Sequence, residues 1–355
     1  MAITDASTRT RQPQAEPLVI GVSFNPSEIS AALVNSQGRA LVERRTETPQ
    51  RTTRAVASNI NDLILALAIA DERGESVINA IGIASAGLVD PPTERVSLPG
   101  MKGWTRVALR QLIEDALETS GHDIRKPHHQ NRARAQHGES PHPAIRIYPQ
   151  AAAAAAGEAW AGAARGKEHV IYLALGEELE AGILAGKQIV AGASGLAGAA
   201  GWLAVTEQFN AEYSERGCLA FEATVTALTH RAVEQWDGST HAMLSQLIKA
   251  DAAQLDAATI LRAARGGDAL ARRVVHQTCR WLGRGIANMI SLLNPEAVVL
   301  GGTFGTALKP FLDDIREETK QWAAPEAARD CRIVTATLAE KAVALGAGRL
   351  ALNAG

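Results

Sequence analysis

Two stretches of this 355-residue chain repeat one plan. Near the start, "LVIGVSF" and "ISAALVNSQGR" are apolar, β-prone runs around a turn at Asn25, Pro26 and Ser27, and "ALVERRTET" follows Gln37-Gly38. That punctuation predicts a three-stranded opening meander. In the second half "VIYLAL" and a hairpin through "LAGKQIV" return to the same theme. Each meander continues into helices and single buried strands. Residues 55–70 set Val56, Ile60, Leu63, Ile64 and Leu67 at helical spacing ahead of the strand "INAIGIAS", and Val107 to Leu117 predicts a helix burying Leu109, Leu112, Ile113 and Ala116. Later come an alanine-rich helix from Ala151 to Ala164, the amphipathic "CRWLGRGIANMISLLN", the strands "AVVLGG" and "RIVTATL", and a last helix from Ala342 to Leu352. Strands giving way twice to helix, strand and helix imply a duplicated α/β fold with a cleft between two lobes. The boundaries fall at residues 18–147 with the C-terminal helix 340–355 for one lobe, and 148–339 for the other.

Composition narrows the function. A hydrophobic content of 46% supports two cores, and a formal charge of -2 gives no general attraction for nucleic acid or anionic membrane. Cys218, Cys279 and Cys331 are scattered and odd in number, which fits a reducing, cytoplasmic setting and no disulfide framework. Residues 1–17 are polar with no apolar h-region and read as a flexible tail, and no apolar run is long enough to cross a bilayer. Residues 122–143 hold five of the nine histidines, four basic residues and three prolines without hydrophobic period. An exposed insertion is the expectation there, with a metal or nucleic-acid site as the alternative.

The segment "VIYLALGEELEAGILAGKQIVAGASGLAGAAGW" has the frame of a phosphate cradle, an apolar strand with a tight turn and repeated glycines. Glu177, Glu178 and Glu180 stand where an anion would approach. At roughly 5 Å and an effective dielectric near 20, each would oppose each phosphate charge by about 3 kcal/mol before screening. Only Lys187 lies nearby in sequence to offset them. The turn reads either as a solvated acidic loop or as a cation site.

"GIASAGLVD" at 82–90, "LPGMKGW" at 98–104, "AAAGEAWAGAARG" at 154–166, "GASGLAG" at 192–198, "RGCL" at 216–219 and "LLNPEAVVLGG" at 292–302 occur in one order. Together they resemble the ROK family, which holds sugar kinases, such as glucokinases and N-acetylmannosamine kinases, and sugar-responsive repressors. The resemblance runs from about Leu18 to Leu352. It implies the actin-like arrangement of two ribonuclease-H-like lobes, and a homodimer.

It also implies a site from which this sequence departs. The family's first strand ends Asp-x-Gly-Gly-Thr at the phosphates; the matching residues are Ser23, Phe24, Asn25, Pro26 and Ser27, and proline removes an amide donor. The second phosphate loop, Gly-Thr-Gly-Ile-Gly-x-Gly, is matched by Gly176 to Gly182 with its glutamates. An Asn-Asp pair opens the family's alanine-rich helix, and the aspartate accepts the sugar hydroxyl's proton. Here Pro149 and Gln150 stand in those places, and an amide cannot take that proton. Losing a general base costs about a hundredfold to ten-thousandfold in rate. The sugar-binding Asn, Glu, His and Glu correspond to Ser97, Ala199, Trp202 and Ala220. Trp202 is expected to fill core space left by the histidine, with stacking on a ring as the alternative. Of the family's zinc ligands only Cys218 remains, Ala211 and Tyr213 replacing two others, and the apolar residues of "WLAVTEQFNAEY" are expected to pack in the metal's stead. Gly301, Gly302 and Thr303 match the adenosine-side segment, with a plain sharp turn as the alternative.

The expectation is a ROK pseudokinase that binds a small molecule or protein partner and has no catalytic residue, no zinc and no ATP-magnesium. The alternative is an active ATP-dependent hexose or amino-sugar kinase with a rearranged site, in which Glu158 or Asp90 reaches the sugar hydroxyl. A DNA-binding repressor is disfavoured, since 17 polar residues are too few for a helix-turn-helix ahead of the fold.

Overall fold

The computed structural model describes residues 17–49, 52–70, 77–124, 142–237, 243–248, 251 and 255–354. Most of the expected tail and insertion lies outside the described residues. The first sheet has the order β3-β2-β1-β4-β7, from β1 (Leu18–Phe24), β2 (Glu28–Val34), β3 (Ala40–Glu47), β4 (Ile78–Ser85) and β7 (Ile145–Pro149). Between them lie α1 (Thr53–Ala68), the short pair β5 (Leu88–Val89) and β6 (Val96–Ser97), and α2 (Leu109–Ser120). The chain then passes directly from β7 into α3 (Gln150–Ala161).

The second sheet runs β10-β9-β8-β11-β12, from β8 (Val170–Leu175), β9 (Leu179–Ala185), β10 (Gln188–Ile189), β11 (Ala297–Gly301) and β12 (Arg332–Thr335). Its helices are α4 (Tyr213–Arg216), α5 (Cys218–Ala223), α6 (Val225–Gln235), α7 (Met243–Leu247), α8 (Ala257–Arg265), α9 (Ala269–Leu293), α10 (Gly302–Ala307), α11 (Leu312–Trp322) and α12 (Pro325–Asp330), and α13 (Lys341–Ala354) returns to the first sheet. In both sheets a three-stranded antiparallel meander is extended by two parallel strands. This is the duplication that the sequence suggests, and it defines the actin-like two-lobed fold.

Each sheet has an outer and an inner cover. Ile60, Ile64 and Leu67 on α1 and Ile113 and Leu117 on α2 are fully buried against the outer face of the first sheet, each worth roughly 1.5–3 kcal/mol of burial. On the second sheet that outer role falls to the helices around α9, whose Val274, Cys279, Leu282 and Ile286 share one buried core with Leu173 and Leu300. Asp268 caps α9 by accepting from Ala271 N at 2.9 Å, and Asn294 closes it in a left-handed turn at φ 45°. The inner covers are α13 on β1 and β4 and α3 on β8 and β9. Small side chains bring these two helices together: a Cβ at Gly346 would overlap the Ala153 carbonyl, and one at Gly157 the Ala342 carbonyl.

Among the element ends that differ from expectation, those of α3 and β12 share one cause. Glu158 is wholly buried. Its carboxylate accepts from Ala163 N (2.6 Å), Thr337 N (3.0 Å), Leu338 N (2.9 Å) and the Thr337 hydroxyl (3.3 Å). It therefore stops α3 at Ala161 and draws the chain out of β12 after Thr335. Glu296 plays a similar part at the start of the sheet, accepting from the Glu168 and His169 amides and from Lys167. Those two amides, followed by the lysine, hold its carboxyl down at about 2 against some opposition from burial.

Gly346→Ala should lower stability in urea by about 1–3 kcal/mol, the usual range for overpacking; an unchanged midpoint would contradict the backbone contact. Because the Glu296 carboxyl is depressed in the folded state, its contribution is complete above the ordinary carboxylate range near 4.5 and fades as pH falls toward about 2. Glu296→Gln should accordingly be less stable than wild type at pH 7, with the gap closing across that interval in pH-dependent urea melts.

Candidate functional site

The interlobe cleft lies where the carboxyl ends of β1 and β4, the start of α3 and the β8–β9 hairpin converge. Beside the start of α3 and β9 lies a cavity of about 80 Å³, walled by Leu88, Pro149, Ala152, Glu180, Ile183 and Leu196 among others; Asn25, Gln150 and Gly302 stand outside its wall. Ligand pockets usually span roughly 300–1,000 Å³. The lining is largely apolar, consistent with alanine at 199 where a hydrogen-bonding residue is expected of the family.

At the end of β1 the turn is closed on itself. Asn25 Oδ1 accepts from the Ser27 amide at 2.8 Å and the Glu28 amide at 2.9 Å, while Thr48 donates its hydroxyl to the Asn25 carbonyl at 2.7 Å. The Asn-Pro-Ser signal marks a turn in the sequence; what it leaves unsaid is that the asparagine side chain consumes the amides an anion would need.

Gln150 opens α3 behind Pro149, whose φ of -65° suits a helix start. Its Nε2 donates to Ser23 Oγ at 3.2 Å and to the Phe24 carbonyl at 3.1 Å. Both amide protons are spent on the end of β1, so the side chain ties the first strand to the helix entering the second lobe. Ser23 is buried.

The β8–β9 turn is tight, with Gly176 N donating to the Glu178 carbonyl at 3.0 Å and Leu175 paired to Leu179. Glu177, Glu178 and Glu180 have exposed residue surfaces, yet Glu180 stands on the wall of the cleft. Partial burial there and the neighbouring Glu178 push its carboxyl pKa up. Lys187, the one nearby cation in sequence, is paired with Glu168 at 2.5 Å and leaves the turn uncompensated by that route.

At the end of β11, Gly302 takes φ +74°, a backbone conformation that disfavours side chains. Its amide donates to the Tyr172 hydroxyl at 3.2 Å, and the Tyr172 ring fills the space over Gly301. Burial raises the phenol to about 12, the Gly302 amide opposing and Glu158 adding. Thr303 is exposed on the first turn of α10. Sequence reasoning missed Tyr172; its position two residues before Ala174, the cross-strand partner of Gly301, is the signal that places it on the same face.

The remaining residues singled out by sequence do not converge on the cleft. Ser97 Oγ accepts from the Arg106 amide at 2.9 Å. Trp202 is 57% exposed, which corrects the expectation of a core tryptophan, and it is not part of the cavity wall. The short 3-10 turn Ala200–Trp202 directs its ring outward because Gly201 and Gly217 bring the backbones themselves together. The packing expected in place of zinc is half realised: Val205, Tyr213 and Cys218 are buried, whereas Phe209 is 78% exposed. The Val205 amide donates to Cys218 Sγ at 3.4 Å, and the Tyr213 hydroxyl donates to Glu222 at 2.6 Å. Among the described residues no three His, Cys, Asp or Glu side chains come close enough to hold a metal. Asp90 is held by the Thr93 hydroxyl and by Arg106 at 3.4 Å, and Glu158 is sealed at the far end of α3.

Two antiparallel-plus-parallel sheets around a cleft define the class of sugar-kinase-like two-lobed proteins. The ROK family model matches residues 142–354, well over half the chain, and the chain belongs to that family. It is 27% identical over 336 residues to the glucokinase of Halalkalibacterium halodurans, covering 93% of this chain and 94% of that protein. A putative xylose repressor from Caldicellulosiruptor sp. is 24% identical, covering 93% of this chain and 76% of the repressor. Among solved structures, a ROK family glucokinase from Streptomyces griseus in complex with glucose and AMPPNP superimposes with a TM-score of 0.69 at 26% identity, covering 95% of this chain and all of that one.

Glu158→Gln should destabilise the protein by about 2–3 kcal/mol, because an amide cannot accept from all of its buried partners. Equal thermal melts of variant and wild type would show that the junction does not rest on this carboxylate.

Proposed function

We propose that this ROK member has given up phosphotransfer and works by binding or scaffolding. The observation carrying this reading is that the cleft's donors are satisfied from within: Asn25 takes the first loop's amides, Tyr172 takes that of Gly302, and Gln150 spends both amide protons on β1. A metal-bound triphosphate fits such a donor set poorly. Its binding would require breaking internal hydrogen bonds while facing Glu178 and Glu180. Cys218 beside Tyr213 suits packing rather than structural zinc. The same reading takes the protein to be a cytoplasmic homodimer, supported by the family resemblance and by its scattered cysteines.

The alternative, an active hexose or amino-sugar kinase, draws support from the relatives named glucokinase. It requires a carboxylate over the sugar, and the engagements of Glu158 and Asp90 speak against the two candidates. An ADP-release assay with ATP-magnesium across hexoses and amino sugars should give no turnover above the protein-free blank. Turnover in the ordinary enzyme range of about 1–10³ s⁻¹ would overturn the proposal.

A further inference from the structure

The outer face of the second lobe carries a basic groove that none of the cleft chemistry uses. Two depressions of about 780 and 360 Å³ adjoin there, sharing Arg273 and His276. Arg265 and Arg272 border one end, Arg280 and Arg284 the other. From Arg272 to Arg284 the α9 stripe spans about 18 Å at the helical rise, enough for about five residues of extended peptide.

Some of these cations are already partnered. Arg284 lies between the Trp281 and Trp322 rings, 4.7 Å from each centroid, and donates to Glu318 at 2.9 Å. Arg280 also pairs with Glu318, at 3.4 Å, and His276 faces Asp314 at 3.6 Å. These contacts stiffen one end. At the other, Arg265 and Arg272 are exposed and have no carboxylate partner among the described residues, and Phe311 and Pro310 supply an apolar wall.

We infer that this groove docks an acidic, extended peptide segment of a partner protein. Charge complementarity selects the acidic class, since guanidinium groups bind carboxylates through paired hydrogen bonds and unpaired surface charge steers association. A peptide suits the groove better than a nucleic acid for two reasons. Asp314 and Glu318 interrupt the positive stripe, which a continuous phosphate backbone would meet and a peptide with spaced carboxylates can avoid. One face each of Trp281 and Trp322 is already covered by Arg284, which takes those faces from a stacking base. The inference stands on α8, α9 and the wall of Pro310 and Phe311, and is independent of whether the cleft is catalytic.

Fluorescence anisotropy with a labelled decapeptide rich in Asp and Glu tests it, using the full chain at low and at physiological salt. Binding should be saturable and weaken with salt, and Arg272→Glu with Arg273→Glu should weaken it at least tenfold. Both side chains are exposed, and an unchanged thermal melt verifies that the variant is folded. Arg44→Glu with Arg45→Glu, a reversal of equal charge on the first lobe, should leave affinity within twofold. No binding, equal losses from the two double variants, or tighter binding of a ten-nucleotide single strand than of the peptide would each overturn the inference.

Discussion

The crossing of α3 and α13 sets the geometry of everything else. Each helix covers the inner face of one sheet, and the two meet backbone to backbone at Gly157 and Gly346. Alanine fills most of the facing positions, so there is no long side chain to pull back and let the lobes drift. Glu158 then fastens the end of α3 to the segment leading into α13 through buried, charge-assisted hydrogen bonds, which are stronger than neutral ones. The cleft is the space left above this crossing.

Within that frame the cleft is organised around internal satisfaction. In a protein that binds phosphates, loop amides and helix starts are left pointing into space for the ligand. Here the corresponding groups point to Asn25, Tyr172 and the end of β1. These bonds lie at exposed or part-buried donors, where an internal hydrogen bond contributes a net of about 0.5–1.5 kcal/mol. Scaffold requirements and ligand requirements compete for the same amides, and in this chain the scaffold holds them.

Much of the fold was legible because its signals are local. The repeated meanders and the 3.6-residue spacing of Ile60, Ile64 and Leu67 can both be read from neighbours in the chain. The ends of α3 and β12 were not, since both depend on a carboxylate acting across 179 positions of sequence, from Glu158 to Thr337. The replaced residues Gln150 and Ser23 were identifiable one by one, but their hydrogen bond to each other spans 127 positions. Trp202 was misjudged for a related reason. A large apolar side chain suggests burial only where the backbone leaves room, and close glycine contacts at Gly201 removed that room.

The proposed function requires that the cleft not accept a metal-bound nucleotide. Isothermal titration of the full chain with ATP and magnesium measures it most directly. The account predicts no saturable heat up to millimolar nucleotide. Micromolar, magnesium-dependent binding would contradict it.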